Sequence, residues 1–361
     1  MTRHSIIFGS STDMEGIETS CIDLIVTSPP YPMMAMWDSM FSVMNPLIGE
    51  NLTANPMVAF ELMHQELDKV WAECHRVLKD GAFLCVNIGN AARSVGGDFQ
   101  LYDNHSRIVS ACIKAGLKEL PPVIWRKRTN APNKFMGSGT LPCGAYVTSE
   151  HEYILIFRKG GKREYTEEER YTRRRSAIFF EERNIWYNDT WDIVGAPQKI
   201  EASRLRSAAF PLEIPYRLIS MYSMKNDTVL DPFGGLQTTA KAAMLLGRHS
   251  VGYEIDRGLE GVIRANLEAV PLLERLARSR WLRHLDFIKG RDCKHYNKGL
   301  NCNVVTAYET DISIESVKDI ILVERGSDSL SYAVTYEPII TDITNNTIND
   351  KEKEDNKTDR E

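Results

Sequence analysis

Short apolar runs alternate with stretches of helical periodicity along most of the chain. Ile6-Ile7-Phe8 reads as a strand turning at Gly9-Ser10-Ser11, Asp13 to Thr19 as a short amphipathic helix, and Asp23 to Val26 as a buried strand. From Phe60 to Leu78, the residues Leu62, Leu67, Val70, Trp71, Cys74 and Leu78 recur on one helical face, and Lys79-Asp80-Gly81 marks the stop. Ala82 to Ile88 then predicts a strand, Ser106 to Gly116 a helix, and Val123 to Trp125 and Tyr153 to Phe157 two more strands. Between that last pair, Arg126 to Ala145 reads as a loop rich in Gly, Pro and basic residues. Farther on come a helix ending near Met224, a strand at Thr228 to Leu230, a helix at Ala240 to Leu246 and a strand at Ser250 to Asp256. A last helix runs from beyond Arg257 to about Arg280. Strands alternating with helices predict an α/β fold with a doubly wound, mostly parallel, Rossmann-like sheet.

Three segments break the rhythm. Arg158 to Ser203 mixes Lys159, Lys162, Arg163 and Arg173-Arg174-Arg175 with seven aromatic side chains from Tyr165 to Trp191. Such interleaving suits phosphate contacts with base stacking, but Glu167 to Glu169 and Glu181-Glu182 make a solvated charged loop the better reading of this stretch by itself. Residues 281–344 hold apolar runs such as Ile320 to Val323 and Tyr332 to Tyr336, expected to form a small added lobe. Residues 345–361 are polar and charged, and are expected to be disordered.

Composition narrows the class. No apolar run approaches the ~20 residues of a membrane span, and the N-terminal stretch reads as a strand rather than a signal peptide. Seven cysteines without regular spacing do not describe a disulfide framework, so reduced thiols and a cytoplasmic location are expected. Cys293, His295 and Cys302 lack a suitably spaced fourth ligand and read as structural; no metal is expected. The net charge of −5 hides a basic middle, with 13 Lys/Arg against 8 Asp/Glu from Pro121 to Arg183. The tail from Thr341 is acidic.

Candidate chemistry concentrates at two strand ends. Thr27-Ser28-Pro29-Pro30-Tyr31 ends the Asp23 strand, and strand carboxyl ends are where open α/β sheets hold ligands. Two prolines remove backbone donors, leaving carbonyl oxygens and the Ser28 hydroxyl as acceptors beside an aromatic ring. That set suits the exocyclic amine of a flat base. It equally suits a plain proline turn with Tyr31 packed on the core. A second stretch breaks the tie: Asp231-Pro232-Phe233-Gly234-Gly235-Leu236-Gln237-Thr238-Thr239 follows a strand and opens a helix, and Glu254 ends the next strand. Glycines let the backbone approach a ligand, and an acid ~20 residues on can bind a ribose diol. The Met-rich stretch Met33 to Met44 reads as core filler, or alternatively as a lid.

Together the two stretches resemble the DNA amino-methyltransferases that use S-adenosyl-L-methionine, over Ile6 to about Arg264. The family's acceptor motif, Asp/Asn/Ser-Pro-Pro-Tyr/Phe, is matched by Ser28 to Tyr31, and its cofactor motif by Asp231 to Thr239. Phe210-Pro211-Leu212-Glu213-Ile214-Pro215 matches the segment that precedes the glycine turn. Acceptor motif before cofactor motif resembles the permuted β class, and the serine form resembles the cytosine-N4 enzymes of restriction–modification systems. The resemblance implies a catalytic half at 1–158, a target-recognition region at 159–206 and a cofactor half at 207–280. It implies that Ser28 and the Pro29 carbonyl grip the amine, with Pro30 stiffening the loop and Tyr31 stacking on a flipped cytosine. On the cofactor side it implies Pro211, Asp231, Pro232, Phe233, Gly235, Thr238 and Glu254. Lys162, Arg163, Arg173, Arg174 and Arg175 are then expected on double-stranded DNA, with a restriction endonuclease as functional companion.

One departure stands out: Gln237 replaces the family's second fixed glycine, which raises the alternative of a weakened, cofactor-binding recognition module. Adenine N6 is the nearest rival target. A carbon-5 enzyme would use Pro142-Cys143, which lies on the wrong segment.

Overall fold

The apolar runs pair side by side into one ten-stranded sheet. The computed structural model describes residues 1–128, 136–138, 140–195, 210–269, 274–339 and 341. In chain order the sheet strands are β1 (Thr2–Phe8), β2 (Ile22–Thr27), β3 (Leu78–Ile88), β4 (Leu117–Arg128), β5 (His151–Lys159), β6 (Thr190–Val194), β7 (Thr228–Asp231), β8 (His249–Glu254), β9 (Glu315–Arg325) and β10 (Ser329–Pro338). Their spatial order is β6-β4-β5-β3-β2-β7-β8-β1-β10-β9. From β3 to β1 the five neighbours are parallel. β5 lies antiparallel between β3 and β4, while β6 continues parallel to β4. The mostly parallel α/β architecture is therefore as expected.

Helices cover both faces of the centre, and the strand period of two decides which side chain meets which helix. Every residue of β2 is buried. Ile25 packs with Leu67, Val70 and Cys74 of α3 (Pro56–Val77), and Leu24 and Val26 with Ile214 and Leu218 of α7 (Glu213–Tyr222) on the other side. α8 (Thr238–Leu246) shares that second face through Ala242 and Ala243.

Several expectations need correction. Asp13 to Thr19 is a series of turns rather than a helix. Arg76 donates to the Ile17 and Met14 carbonyls and Glu73 accepts from the Met14 N–H, so tertiary partners replace the helical bonds. The predicted loop after Trp125 begins later, because β4 runs on to Arg128. Its residues 129–135 and 139 lie outside the described residues, and Met136–Gly137 pairs with Ala145–Tyr146 as a short hairpin. The segment 281–344 does not form a separate lobe. β10 pairs antiparallel with β1 and β9 with β10, and Leu330, Tyr332 and Val334 join Ile6, Met244 and Ile263 in one core. The expected disordered tail, 345–361, lies outside the described residues.

A satellite cluster forms around α10 (Glu274–Ile288), which lays Trp281 against Leu300, Val304 and Phe179, with Ile339 joining from beyond β10. His284 binds it together: its ring stacks on Phe179 at 3.9 Å, Nδ1 meets Glu181 at 2.9 Å, and Nε2 meets the Asn303 carbonyl at 2.9 Å. Burial pulls the His284 pKa down, but the hydrogen bonds to Cys302, Glu181 and Asn303 and the Glu181 charge outweigh it and raise the pKa to about 10.

At the turn from β7 into α8, Gln237 occupies the left-handed region at φ 63°, which a glycine adopts without strain. Its side chain is fully buried between Gly234 and Gly252, and neither amide atom has a hydrogen-bond partner. A Cβ added at Gly252 would overlap Gln237 Oε1, and one at Gly234 would overlap its Nε2. The helix still starts here, so the substituted glycine changes the turn's filling rather than its path.

Two stability tests follow from these contacts. Gly252→Ala is expected to destabilise the protein by about 1–3 kcal/mol through overpacking, and Gln237→Gly in the same chain should remove most of that cost. Equal damage in both backgrounds, read by thermal melts, would refute the contact. For His284, a folded pKa above the free value of 6.5 makes its stabilisation complete below pH 6.5 and lost as pH rises towards 10. The melting difference between wild type and His284→Gln should therefore shrink over that interval; a pH-independent difference would contradict the charged pair.

Candidate active site

The carboxyl ends of β1, β2, β7 and β8 open on one cleft of about 1060 Å³. β2 delivers Ser28, Pro29 and Pro30 to its wall, with Ser28 half-buried and both prolines buried. The β7–α8 turn contributes Asp231, Pro232, Phe233, Gly235 and Thr238, and β8 contributes Glu254. Nine of the residues singled out in the sequence thus line a single cleft. Pro211 does not; its neighbour Phe210 does.

Asp231 joins the two halves. Its Oδ1 accepts from the Thr27 hydroxyl at 2.6 Å and the Phe233 N–H at 3.0 Å, and Oδ2 accepts from the Thr239 hydroxyl at 2.6 Å. Burial raises its pKa to about 6 against the pull of these donors. Thr27 immediately precedes Ser28, so this carboxylate sets the distance between the acceptor loop and the glycine turn. Glu254 is buried at the end of β8, where its Oε1 accepts from the Asp256 N–H at 2.7 Å.

Tyr31 behaves differently from the expected stacking platform. It is buried and lies outside the cleft lining. Its hydroxyl donates to Glu152 Oε2 at 2.9 Å, accepts from Asn87 Nδ2 at 2.8 Å and lies 3.3 Å from Ser28 Oγ. Asn87 also donates to Glu152 at 2.7 Å, and Lys127 pairs with the other Glu152 oxygen. Burial and the Glu152 charge raise the Tyr31 pKa well above the usual phenol range, so it remains a donor. The ring anchors the Ser28 loop from behind.

Other groups were not legible in the sequence. Gly9 to Thr12 line the cleft after β1, and Trp37, Met40 and Met44 close it from the Met-rich stretch, which is thus wall as well as core. Asn87, Lys127 and Glu152 carry no local motif; only the pairing of β3 with β5 and of β5 with β4 brings them together.

Among the described residues, the basic side chains of 159–195 do not gather at Ser28. Arg163 is held by Asp227 at 2.9 Å, Glu169 at 3.2 Å and Asp23 at 3.4 Å, at the amino ends of β2 and β7. Arg175 pairs with Glu315 at 3.3 Å, Arg174 lies 3.8 Å from Asp311, Arg173 stacks over Tyr165, and Lys162 is exposed. Phe179, Trp186 and Trp191 are core residues. Residues 196–206 lie outside the described set. What does rise at the Ser28 end is a hairpin of Ala91–Val95 with Asp98–Tyr102 and the Met136–Gly137/Ala145–Tyr146 hairpin, joined by Phe99 against Tyr146 at 4.6 Å.

Among described residues, Glu181, His284 and Glu309 bring potential ligand atoms within 4.8 Å of one another. Both His284 nitrogens and both Glu309 oxygens are already engaged in hydrogen bonds. No helix among the described residues is long and apolar enough to cross a membrane.

Comparison with known proteins agrees with this geometry. The Type II methyltransferase M.MthZI of Methanothermobacter thermautotrophicus is 47% identical over 320 residues, spanning 87% of this chain and 90% of that protein. M.MjaI of Methanocaldococcus jannaschii, also a Type II methyltransferase, is 46% identical over 280 residues, 74% of this chain and 91% of its own. The crystal structure of a DNA modification methylase from Thermus thermophilus, complexed with S-adenosyl-L-methionine, superposes with a TM-score of 0.59 at 28% identity, covering 74% of this chain and 94% of that one. The DNA methylase family of N6 and N4 enzymes matches residues 22–263, and the chain belongs to that family.

Proposed function

We propose that this protein transfers a methyl group from S-adenosyl-L-methionine to the N4 exocyclic amine of a cytosine swung out of duplex DNA, as the modification enzyme of a Type II restriction–modification system. One observation carries the reading: the Ser28-Pro29-Pro30 loop and the Asp231–Gly235 turn face the same cleft, tied together through Asp231. The Type II names of M.MthZI and M.MjaI support the site-specific role. The acceptor strand β2 precedes β7 by some 200 residues yet pairs beside it, which supports the permuted β-class order.

The residues suit the cofactor. A cleft floored by a glycine turn, with a buried carboxylate at the next strand end, suits a nucleoside carrying an amino-acid arm. When bound, S-adenosyl-L-methionine supplies a methyl group on a cationic sulfur. Glu254 would accept hydrogen bonds from the ribose hydroxyls, the Asp231–Gly235 backbone would shape the methionine end, and Phe210 and Thr238 would complete the wall.

The cytosine amine is a poor nucleophile because its lone pair is delocalised into the ring. Ser28 Oγ and the Pro29 carbonyl accept its two hydrogens and hold the nitrogen towards tetrahedral geometry. The lone pair would then point into the cleft, where the bound cofactor would supply the methyl group, and the proton lost by the nitrogen would pass to solvent. Positioning supplies most of the rate. Tyr31, Asn87, Glu152 and Lys127 act as positioning residues that fix the Ser28 loop. The hairpins around Phe99 and Tyr146, with exposed Tyr146 and Val147, contact the DNA around the flipped base.

Transfer of radiolabelled methyl groups to duplex DNA by the purified protein tests this assignment. Ser28→Ala should lower the turnover on the order of 10²–10³-fold while leaving cofactor affinity intact. Glu254→Ala should weaken cofactor binding by about tenfold or more, from loss of charge-assisted hydrogen bonds. Parallel loss of both properties in Ser28→Ala would make Ser28 structural, and unchanged affinity in Glu254→Ala would remove it from the site.

A further inference from the structure

The opposite end of the sheet carries a second, larger groove of about 2410 Å³. It is bordered by Asp23 at the start of β2, Phe83 in the early part of β3 and Asp227 just before β7. β2 is six residues long, so at ~3.3 Å per residue about 20 Å separates this groove from Ser28.

An aromatic row forms its floor. Phe83 and Tyr222 pack with centroids 4.6 Å apart, and Tyr222 and Tyr187 follow at 6.3 Å. Tyr187 is 51% exposed, with its hydroxyl donating to the Met221 carbonyl so that the ring is held in place. Arginines stand along the rim from two helices: Arg170 and Arg173 from α5 (Glu167–Arg175), and Arg183 from α6 (Phe180–Trp186). Among the described residues, none of these three forms an ion pair, and all three are exposed. The groove's own acids are already neutralised, Asp227 by Arg163 at 2.9 Å and Asp23 by Lys79 at 2.7 Å. Arg173 lies over the Tyr165 ring, 4.5 Å from its centroid, so the rim itself pairs a cation with an aromatic face.

Arginines in the last turn of α5 complement its helix dipole, which gives a purely structural reason for Arg173. The same reason covers Arg183 in the last turn of α6, but it gives none for Arg170, which stands in the middle of α5 on the same rim. Exposed arginines on the rim of a groove with aromatic rings on its floor fit a phosphate backbone whose bases are free to stack. Bases in a duplex are already stacked on one another, so the row favours an unpaired strand.

We propose that this groove is a second nucleic-acid site, taking a single-stranded segment whose bases lie on the Tyr187–Tyr222 row and whose phosphates meet Arg170, Arg173 and Arg183. It does not depend on which base the Ser28 site methylates. It gives the protein a hold on unpaired DNA or RNA at the end of the sheet facing away from the cleft.

Fluorescence anisotropy of the full chain with a labelled oligothymidylate tests the site, with duplex methyl transfer and melting temperature measured on the same variants. Wild type should bind with an affinity that falls with salt. The triple Arg170→Gln/Arg173→Gln/Arg183→Gln variant should flatten that salt slope by about two, at ~0.7 per phosphate contact on a single strand. Tyr187→Ala should weaken binding on the order of tenfold and Tyr187→Phe should not. Melting temperature and duplex methylation should remain at wild-type levels in all of them. Absence of oligothymidylate binding at low salt, or equal binding by every variant, would overturn the proposal. So would a parallel loss of duplex methylation, because the arginines would then serve the target duplex.

Discussion

The buried carboxylate of Asp231 is the constraint on which the rest of the site depends. It satisfies the hydroxyls of Thr27 and Thr239 and the Phe233 N–H at once. Those donors belong to the acceptor strand, the helix after the glycine turn and the turn itself. Leaving any one unpaired in this dry environment would cost about 1–3 kcal/mol, so the three elements are locked in register. Burial pushes the carboxyl up to about 6, and the donors keep it from rising further. Thr239 also reaches the Val26 carbonyl at 3.3 Å, which fastens α8 directly to β2. Segments some 200 residues apart in the chain therefore meet with little freedom.

Behind Ser28 stands a second polar network, and its logic is complementary. Asp231 fixes where β2 ends relative to the glycine turn; Tyr31, Asn87, Glu152 and Lys127 fix which way the loop leaves the strand. The prolines supply stiffness, and the phenol supplies an address. The tyrosine ring expected against a base is instead buried behind the loop that carries Ser28.

Much of the cleft could be read from residues adjacent in sequence, because strand ends and turns have local signatures. Ser28 to Pro30, Asp231 to Gly235 and Glu254 sit where a strand, a turn and the next strand put them. The parallel sheet was legible for the same reason, in runs such as Leu24 to Val26 that are buried on both faces. What escaped was decided by tertiary pairing. Asn87 and Glu152 meet only across an antiparallel pair of strands, and nothing local marks them. The turns at Asp13 to Thr19 replace a helix because Arg76 and Glu73, on α3, claim their backbone groups. The apolar runs near Ile320 and Tyr332 extend the main sheet beside β1, a choice that alternation alone cannot make. Charge clustering could not place these side chains for a related reason: Arg163 and Arg175 pair with carboxylates that lie far away in sequence.

Two grooves thus occupy the two ends of one sheet, one lined by Ser28, Asp231 and Glu254 at the strands' carboxyl ends and one lined by arginines and tyrosines at their amino ends. The role proposed for Ser28 can be tested most directly by mass spectrometry of nucleosides from DNA of cells with and without this protein. A new N4-methylcytosine signal is expected, and it should disappear in cells carrying Ser28→Ala. A new N6-methyladenine signal instead would contradict the role given to Ser28, while leaving Asp231 as the joint between acceptor loop and cofactor turn.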